Sequence, residues 1–426
     1  MPIAGLQPLR HRSFALFWGA GATSDIGTWV QLAAIGSLVA STSGSALSTA
    51  MVAAATFAPQ GMCSPIGGLL ADRYERRRTF LITLGVQTVV TTVMAVAIAR
   101  GLHNAAALSG LVLLQSSAGA LGGPSLQAIL PELVPRTELT AAVALGVTGW
   151  NAGRVLGPLL AALLVPIGTQ WAIGANAVSF AVLWCAIAMM RRHFLPANRG
   201  WTSLRSELAA GARALVRSPG CTAALTTIVA MHLLFVPFMG LIPSTARALV
   251  VRHHGAITEA SVTSVAARLL SAQGIGAIIG SLLVASVLMR LRRSTVITLA
   301  LTAAVALVPI HALTPTVLTT AITIFVLGSC VAMTQSTLGG VVQRDAPSEQ
   351  RGRILSWYQG LNGLSYGVGL ALMGAAADHF GRRTTFLASG LALAVLVIAT
   401  QRVGAWSAAI DGEPAPVPLP AAHSAA

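Results

Sequence analysis

Charged residues are scarce in this chain of 426 residues, at 9% of the total, and lysine is absent. Soluble globular domains average about 25% charged residues, so this composition excludes a water-soluble fold. Apolar residues make up 55% of the sequence, and the mean hydropathy is +0.76. Because one membrane crossing needs about 20 mainly apolar residues, the chain is predicted to be an all-α integral membrane protein without a large soluble domain.

Motifs of catalysis and metal binding are also missing. The sequence contains no HExxH pair, no G-x-S-x-G elbow and no Walker glycine loop. Its four cysteines lie singly within apolar runs and show no CxxC spacing. The adjacent His253 and His254 are the nearest metal candidates, but they lack carboxylate or cysteine company. We therefore expect no enzyme activity, no cofactor and no bound metal.

The net charge of +15 comes entirely from arginine, which supplies all 27 basic residues. Most of these arginines lie in short segments between apolar runs. Such clustering is typical of cytoplasmic loops in membrane proteins, and it argues against nucleic-acid binding. It predicts a multi-pass protein of the cell (inner) membrane with both termini in the cytoplasm. The exceptions are Arg247, Arg252, Arg382 and Arg383, which this topology puts outside.

Apolar runs broken by charged or turn residues predict twelve transmembrane helices in two sets of six. Their approximate bounds are 14–40, 46–71, 79–99, 105–130, 140–166, 171–190, 221–246, 261–289, 294–312, 315–341, 353–377 and 384–403. We expect an N-terminal six-helix bundle over 1–190 and a C-terminal bundle over 221–404. The cytoplasmic linker 191–220 has leucines on one helical face and arginines on the other, as in a helix lying on a membrane surface. The Pro- and Ala-rich tail, 405–426, is predicted to be disordered.

The connection between spans 2 and 3 reads G-x-x-x-D-R-x-x-R-R from Gly68 to Arg77. In this motif, in the span count and in the central linker, the chain resembles the major facilitator superfamily of transporters over essentially its whole length. The resemblance implies two six-helix bundles around a central cavity, with this loop closing a cytoplasmic gate against the start of span 11. The gate residues are then Gly68, Asp72, Arg73, Arg76, Arg77 and Arg353. The alternative is a positively charged loop that only fixes orientation.

Two further motifs extend the resemblance. In span 5, Gly153, Gly157 and Pro158 are similar to the antiporter motif of the superfamily, which favours export, although small residues at this spacing also serve helix packing. Stretches 25–31 and 130–135 are similar to the branch that contains enterobactin exporters and macrolide efflux proteins. A second G-x-x-x-D motif ends at Asp378, after span 11, where it indicates either an extracellular gate pairing or a miscounted span.

Ionisable residues within predicted spans are candidates for proton coupling. Asp25 lies about 16 Å into span 1, and Arg154 is similarly deep in span 5. Such groups are costly in hydrocarbon and are usually paired or functional. The sequence therefore suggests an Asp25–Arg154 pair that is loosened by protonation, or else a static pair with no part in transport. His232 in span 7 is a further proton carrier or a hydrogen-bonded packing residue.

Amides and aromatic side chains within spans predict a cavity for mixed polar and aromatic ligands. The residues assigned to it are Trp29, Gln31, Gln115, Trp150, Asn151, Arg268, Gln335, Trp357, Gln359 and Asn362, and Gln273 is also expected to face the interior. The tryptophans have an alternative place in an interfacial belt. Arg268 either binds an anionic substrate or extends outward to the lipid surface.

The function that these features favour is proton-coupled efflux of a small amphipathic compound, a drug or a metabolite, by alternating access. The expected partners are this substrate, protons and the bilayer, and the expected state is a monomer. Two alternatives within transport are a siderophore exporter and a narrow-substrate importer or uniporter. An alternative of another class is a receptor or scaffold on the same fold that no longer transports.

Overall fold

The structure is a computed structural model that describes residues 4–190, 204–253, 255–347, 351–402 and 404–412, and the side chains of 4, 5, 204–208, 289 and 351–353 lie outside the described part. The described residues form fifteen α-helices joined by short turns and 3-10 segments. The helices are α1 Arg12–Ser43, α2 Ala46–Arg73, α3 Arg76–Ala99, α4 Ala105–Ile129, α5 Leu139–Leu164, α6 Thr169–Ala188, α7 Leu204–Arg217, α8 Pro219–Leu234, α9 Ile242–Arg252, α10 Glu259–Ser286, α11 Arg293–Leu313, α12 Val317–Asp345, α13 Arg351–Phe380, α14 Arg382–Arg402 and α15 Gly404–Asp411.

Side-chain caps fix the starts of several helices. Asn104 accepts a hydrogen bond from the backbone of the first turn of α4, at 3.0 Å. Thr258 and Thr316 form reciprocal capping boxes at the starts of α10 and α12. These contacts satisfy backbone N–H groups that have no partner within the helix. Short turns join the successive long helices within each half, which therefore run in alternating directions, whereas α7 meets α8 at 102°.

Within the described ranges, seven helices are long and apolar enough to cross a membrane: α3, α4 extended to Glu132, α6, α10, α11, α12 and α14. The helices α1, α2, α5 and α13 are 26 to 32 residues long and carry polar side chains within them. If α8 and α9 are taken as one broken span, helices lie at each of the twelve predicted places. The number of actual crossings stays a prediction.

Span 7 was predicted as one continuous helix over 221–246, and this prediction is wrong. The chain leaves α8 at Leu234, passes through a 3-10 turn at Val236–Met239 and enters α9 at Ile242. Pro237 lacks the N–H that a continuous helix would use, and its ring clashes with the preceding turn. The break therefore follows from the local sequence.

The linker and the tail also form helices. The axis of α7 meets that of α8 at 102°, and Leu215 is buried while Arg213 and Arg217 are exposed. The prediction of a disordered tail is wrong for its first residues, because α15 packs against α8, α11 and α14. Trp406 Nε1 donates to Thr227 Oγ1 at 2.9 Å, which composition alone did not indicate. Residues 413–426 and 191–203 lie outside the described part.

The two sets of helices pack as two halves. Helices α1–α6 contact one another, as do α8–α14, and the halves meet chiefly along two pairs, α2 with α13 and α5 with α10. The start of α2 lies against the end of α13, and the start of α6 lies against the start of α10. Since helix direction alternates along each half, these contacts put the starts of α1 and α8 at the same end of the bundle. We call this end, where α1 begins and α14 ends, the proximal end and the opposite end the distal end.

Candidate functional site

A cavity of about 260 Å³ lies between the two halves. Helices α1, α2 and α5 of the first half and α8 to α10, α12 and α13 of the second all contribute to its wall. The polar and aromatic residues among those that line it are Trp29, Thr49, Phe57, Gln60, Trp150, Arg154, His232, Gln273, Gln335, Asn362 and Tyr366. The break between α8 and α9 also faces it through Val236, Met239 and Gly240.

Arg154 supplies a positive charge at the α5 side of the cavity. Its Nε donates to Gln273 Oε1 of the other half at 3.0 Å. Its guanidinium carbon lies 5.7 Å from the ring centroid of Trp29, within the range of a cation–π contact. Trp29 in turn packs edge-on against Trp150, with ring centroids 5.5 Å apart. Arginine and the two indoles form one continuous patch, which we call the Arg154 corner.

Close packing between α1 and α5 positions this corner. A Cβ placed on Gly157 would lie 2.4 Å from Trp29 Cβ, and one on Gly153 would lie 2.9 Å from the carbonyl carbon of Asp25. Only glycine fits at either point. Pro158 is buried beside them within α5. In this conformation the residues of the antiporter-like motif therefore act as packing residues that hold Trp29 beside Arg154.

The predicted Asp25–Arg154 ion pair is not formed. Arg154 is bonded to Gln273 instead, and among the described residues no hydrogen bond or ion pair involves the half-buried Asp25 carboxylate. Successive residues of an α-helix point about 100° apart. Since Gly153 faces the backbone of Asp25, the side chain of Arg154 points away from Asp25 and reaches Trp29 and Gln273 instead. Similar depth in two helices did not imply contact.

His232 lies in the cavity wall with both ring nitrogens engaged. Nδ1 is 3.3 Å from Ser365 Oγ, and Nε2 is 3.3 Å from the amide nitrogen of Gln335. With this amide orientation Gln335 donates to Nε2, so the neutral ring carries its hydrogen on Nδ1. The imidazole also lies against Tyr366, with ring centroids 5.3 Å apart. The histidine is therefore hydrogen-bonded and reachable from the cavity at the same time.

Four of the ten residues that were assigned to the cavity line it. Those that line it are Trp29, Trp150, Gln335 and Asn362, together with Arg154, His232 and Gln273. Phe57, Gln60 and Tyr366 were missed. Gln60 had the same signal as the other amides, a polar side chain within an apolar span. The two rings are ordinary packing residues in the sequence, and nothing local marks them.

Gln31 and Gln115 belong to the interior of the first half rather than to the cavity wall. Gln31 Nε2 donates to Gln115 Oε1, and Asn176 donates to Gln31 Oε1 at 2.6 Å. Gln31 and Gln115 are 5% and 4% exposed, and Asn176 is fully buried. The chain of amides joins α1, α4 and α6, and it satisfies polar groups that would be costly if buried alone. These predictions of ligand contact are therefore corrected to structural roles.

The other predicted cavity residues also lie elsewhere. Asn151 donates to Val147 O of its own helix at 3.0 Å, and Arg268 and Gln359 are exposed. Trp357 packs at the edge of the apolar core of the second half. For Arg268, the outward position agrees with the alternative that the sequence left open.

The loop between α2 and α3 differs from the expected gate in two respects. A Cβ on Gly68 would meet nothing within 4 Å, whereas one on Gly67 would lie 2.4 Å from Leu121 O, so Gly67 is the close-packed residue. Arg76 pairs with Glu132 at 2.6 Å within the first half. Arg77 Nε donates to Ile187 O at 3.1 Å and its Nη2 to Ala188 O at 2.5 Å, so it caps the end of α6. Arg76 and Arg77 thus bond to residues of the first half, to which they themselves belong.

The remaining gate assignment stays a prediction. Asp72 is half-buried and Arg73 is exposed where α2 ends. The side chain of their expected partner, Arg353, lies outside the described part.

Polar contacts join the halves at the distal end. The Asp378 carboxylate accepts hydrogen bonds from Ser45 Oγ, from Ala46 N at 2.6 Å and from Leu47 N at 3.1 Å. Thr169 Oγ1 donates to Glu259 Oε2 across the other helix pair. We call these two groups of bonds the distal clasp. It agrees with the gate-pairing alternative for the second G-x-x-x-D motif, since Asp378 meets the other half at the end opposite to the α2–α3 loop.

Comparison with known proteins defines the family. A family model for transmembrane secretion effectors, a branch of the major facilitator superfamily, matches residues 3–419. The multidrug efflux pump Tap of Mycolicibacterium fortuitum is 27% identical over 391 residues, covering 88% of this chain and 92% of that protein. The crystal structure of the nucleoside transporter NupG matches with a TM-score of 0.72 at 13% identity, covering 92% of this chain and 98% of that one.

A bacterial homologue of the human lysosomal transporter Spinster matches with a TM-score of 0.69 at 14% identity, covering 95% of this chain and 99% of that one. These findings confirm the predicted superfamily and its helical fold, and they describe transporters rather than enzymes. The chain is therefore a multi-pass membrane transporter and belongs to the transmembrane secretion effector family of the major facilitator superfamily.

Proposed function

We propose that the protein is a proton-coupled exporter of small amphipathic compounds that works by alternating access. The observation that carries the proposal is the cavity between the halves, where both halves contribute amide and aromatic side chains to one wall. Mixed walls of this kind bind ligands with both polar and apolar parts. The name of its relative Tap, a multidrug efflux pump, supports export.

In the proposed cycle the two halves rock about the cavity as rigid bodies. The distal clasp holds the conformation in which the distal end is closed, and its bonds break when that end opens. The Asp72 loop closes the proximal end in turn. We place the proximal end in the cytoplasm, because the arginine-rich connections lie there. The protein then acts as a monomer in the cell (inner) membrane, with both termini cytoplasmic.

Asp25 is the proposed proton site. Its half-buried carboxylate has no hydrogen-bond or ion-pair partner among the described residues. Burial without a counter-charge penalises an ionised group, so uptake of a proton removes that cost. The backbone of Asp25 lies against Gly153, one residue before Arg154. A shift of α1 on proton binding would therefore reach the Arg154 corner directly.

Uptake into inside-out proteoliposomes under an imposed pH gradient tests this function. The assay follows a panel of fluorescent amphipathic compounds of either charge, including a catecholate siderophore, with Asp25→Asn as the test variant. Asp411→Asn is the matched control, because this carboxylate only joins α15 to α11, at 2.9 Å from Ser294 N. We expect gradient-driven accumulation in the parent and in the control, and none in Asp25→Asn.

Each of the other possible outcomes would support a different alternative. Accumulation that survives in Asp25→Asn would remove Asp25 from the coupling step. Accumulation indifferent to the pH gradient would indicate a uniporter or another coupling ion. Saturable binding without accumulation would indicate a receptor rather than a transporter.

A further inference from the structure

The charge of the cavity is of one sign. Arg154 is the only arginine among the described residues that line the cavity, and none of those residues is an Asp or a Glu. The histidine in the wall is engaged through both ring nitrogens in its neutral form. A ligand in this cavity therefore meets a fixed positive charge without a compensating carboxylate.

The Arg154 corner has unused hydrogen-bond donors. A guanidinium carries five N–H groups in a planar fork, and only the Nε of Arg154 donates to a described residue. The indole Nε1 of Trp29 is buried without a hydrogen-bond partner, in a residue that is 7% exposed. Leaving a buried donor unpaired is costly. Two adjacent groups thus offer donors, and both belong to residues of the cavity wall.

Resting on the transport function proposed above, we infer that the substrate is a compact aromatic compound with an anionic group, and that the Arg154 corner binds this group. Planar oxyanions match the guanidinium fork and accept two parallel hydrogen bonds. An acceptor that reaches the buried Trp29 Nε1 would also give this donor a partner. The charge, the donor geometry and the orphaned donor all favour the same ligand chemistry.

The rest of the wall favours an aromatic body of limited size. Trp29 packs against Trp150, and Phe57 lies against Tyr366 with ring centroids 5.3 Å apart, so two aromatic pairs belong to the wall. Ligand sites for drug-sized molecules usually span roughly 300–1,000 Å³. A cavity of about 260 Å³ lies below that range. It suits one or two fused rings and excludes a macrocycle in this conformation.

A lipophilic cation is the competing substrate class, because aromatic rings also attract cations. In this cavity such a ligand would lie beside the uncompensated charge of Arg154, in surroundings of low dielectric where like charges repel strongly. Asp25 does not relieve the repulsion, since it is not part of the wall. The arrangement of charges therefore disfavours a cation.

Binding of three matched naphthalene probes to the full protein in lipid nanodiscs tests the inference. The probes are naphthalene sulfonate, the neutral naphthalene sulfonamide and naphthylmethyl-trimethylammonium, and binding is followed by probe anisotropy. The anionic and cationic probes are permanently charged, so a pH gradient does not distribute them passively. We expect the sulfonate to bind at least about tenfold more tightly than the other two, as for a charged hydrogen bond.

The variant Arg154→Gln keeps an amide donor and removes the charge. We expect it to weaken sulfonate binding by about tenfold or more and to change sulfonamide binding by less than about twofold. Arg154→Lys should retain a preference for the sulfonate over the sulfonamide. Trp29→Phe removes the indole N–H together with part of the ring, so it should weaken both probes, and the sulfonate by about threefold more than the sulfonamide.

Tighter binding of the ammonium probe than of the sulfonate would overturn the inference, and this ranking needs no variant. So would sulfonate affinity that is the same in Arg154→Gln as in the parent. Vesicle transport separates the two proposals. If the sulfonate binds as expected but is not moved by either sign of pH gradient, the exporter proposal fails and the anion site stands. If the ammonium is exported and the sulfonate is not bound, the exporter stands and the anion site fails.

Discussion

Replacing Asp378 by alanine should open the distal end. The carboxylate accepts three hydrogen bonds from the start of α2, two of them at 2.6 and 3.1 Å from backbone N–H groups. Hydrogen bonds to charged groups contribute about 1.5–3 kcal/mol each in protected sites, and an anion at a helix N-terminus adds about 0.3–1 kcal/mol. Asp378 is solvent-exposed, so we reduce the total to about 2 kcal/mol.

The substitution destabilises only the closed conformation, in which Asp378 binds the start of α2. When the halves separate, α2 keeps its own cap, since Ser45 Oγ accepts from Ser48 N at 3.0 Å. A change of 2 kcal/mol shifts the ratio of open to closed molecules by about 30-fold. An open population of about 1% would then rise to about 20%.

Distances between spin labels at the distal end measure this population. His103 and Leu318 are exposed, lie in different halves and are suitable for labelling after replacement by cysteine, in a background without the four native cysteines. Asp411→Ala is the matched control, because Asp411 caps α11 in the same way through Ser294 N and Oγ, but within one half. We expect a longer distance to appear only in Asp378→Ala. An unchanged distribution, or an equal shift in the control, would refute the role of the clasp.

Two further predictions concern stability. Gly157→Ala should lower the free energy of unfolding by about 1–3 kcal/mol, because the added Cβ would lie 2.4 Å from that of Trp29; Gly68→Ala, with open space around it, is the control and should be neutral or slightly stabilising. Gln31→Leu should lower the free energy of unfolding by about 1–3 kcal/mol, because Gln115 and Asn176 would each stay buried without their bond to Gln31. Thermal unfolding in detergent measures both, and a stable Gly157→Ala protein would show that α1 and α5 are less tightly packed than described.

Much of the fold could be predicted from apolar periodicity, because lipid-facing helices must be long and apolar whatever their neighbours are. The exceptions depended on local chemistry. The break after α8 has a visible cause in Pro237 and Gly240, but the run there stays apolar, so hydropathy averaged over a window passes through it. The helix α15 was missed because Trp406 and Asp411 are ordered by partners distant in the chain, which composition does not report.

The site was harder to predict because a sequence shows how far along a helix a residue lies but not which way its side chain points around the helix axis. Gln31 and Gln60 are both amides within apolar runs, yet Gln31 faces the interior of its own half and Gln60 faces the cavity. In the same way, Asp25 and Arg154 have similar depths and point to different neighbours. Trp29 and Trp150 do line the cavity, and their contact with a substrate stays a prediction.

The placement of cross-half contacts also suggests where the proposed rocking motion has its pivot. At the level of the cavity, Ser271 Oγ donates to Val155 O at 2.8 Å, next to the bond between Arg154 and Gln273. Glu259 of the distal clasp lies on the same helix, twelve residues away, which is about 18 Å along its axis. A rotation of about 10° at the cavity would move Glu259 by about 3 Å, enough to break a hydrogen bond, while contacts at the pivot persist. An anion bound to the remaining donors of Arg154 would thus lie beside the two pivot contacts, Ser271–Val155 and Arg154–Gln273. The free energy needed to open the distal end would then come mainly from breaking the distal clasp.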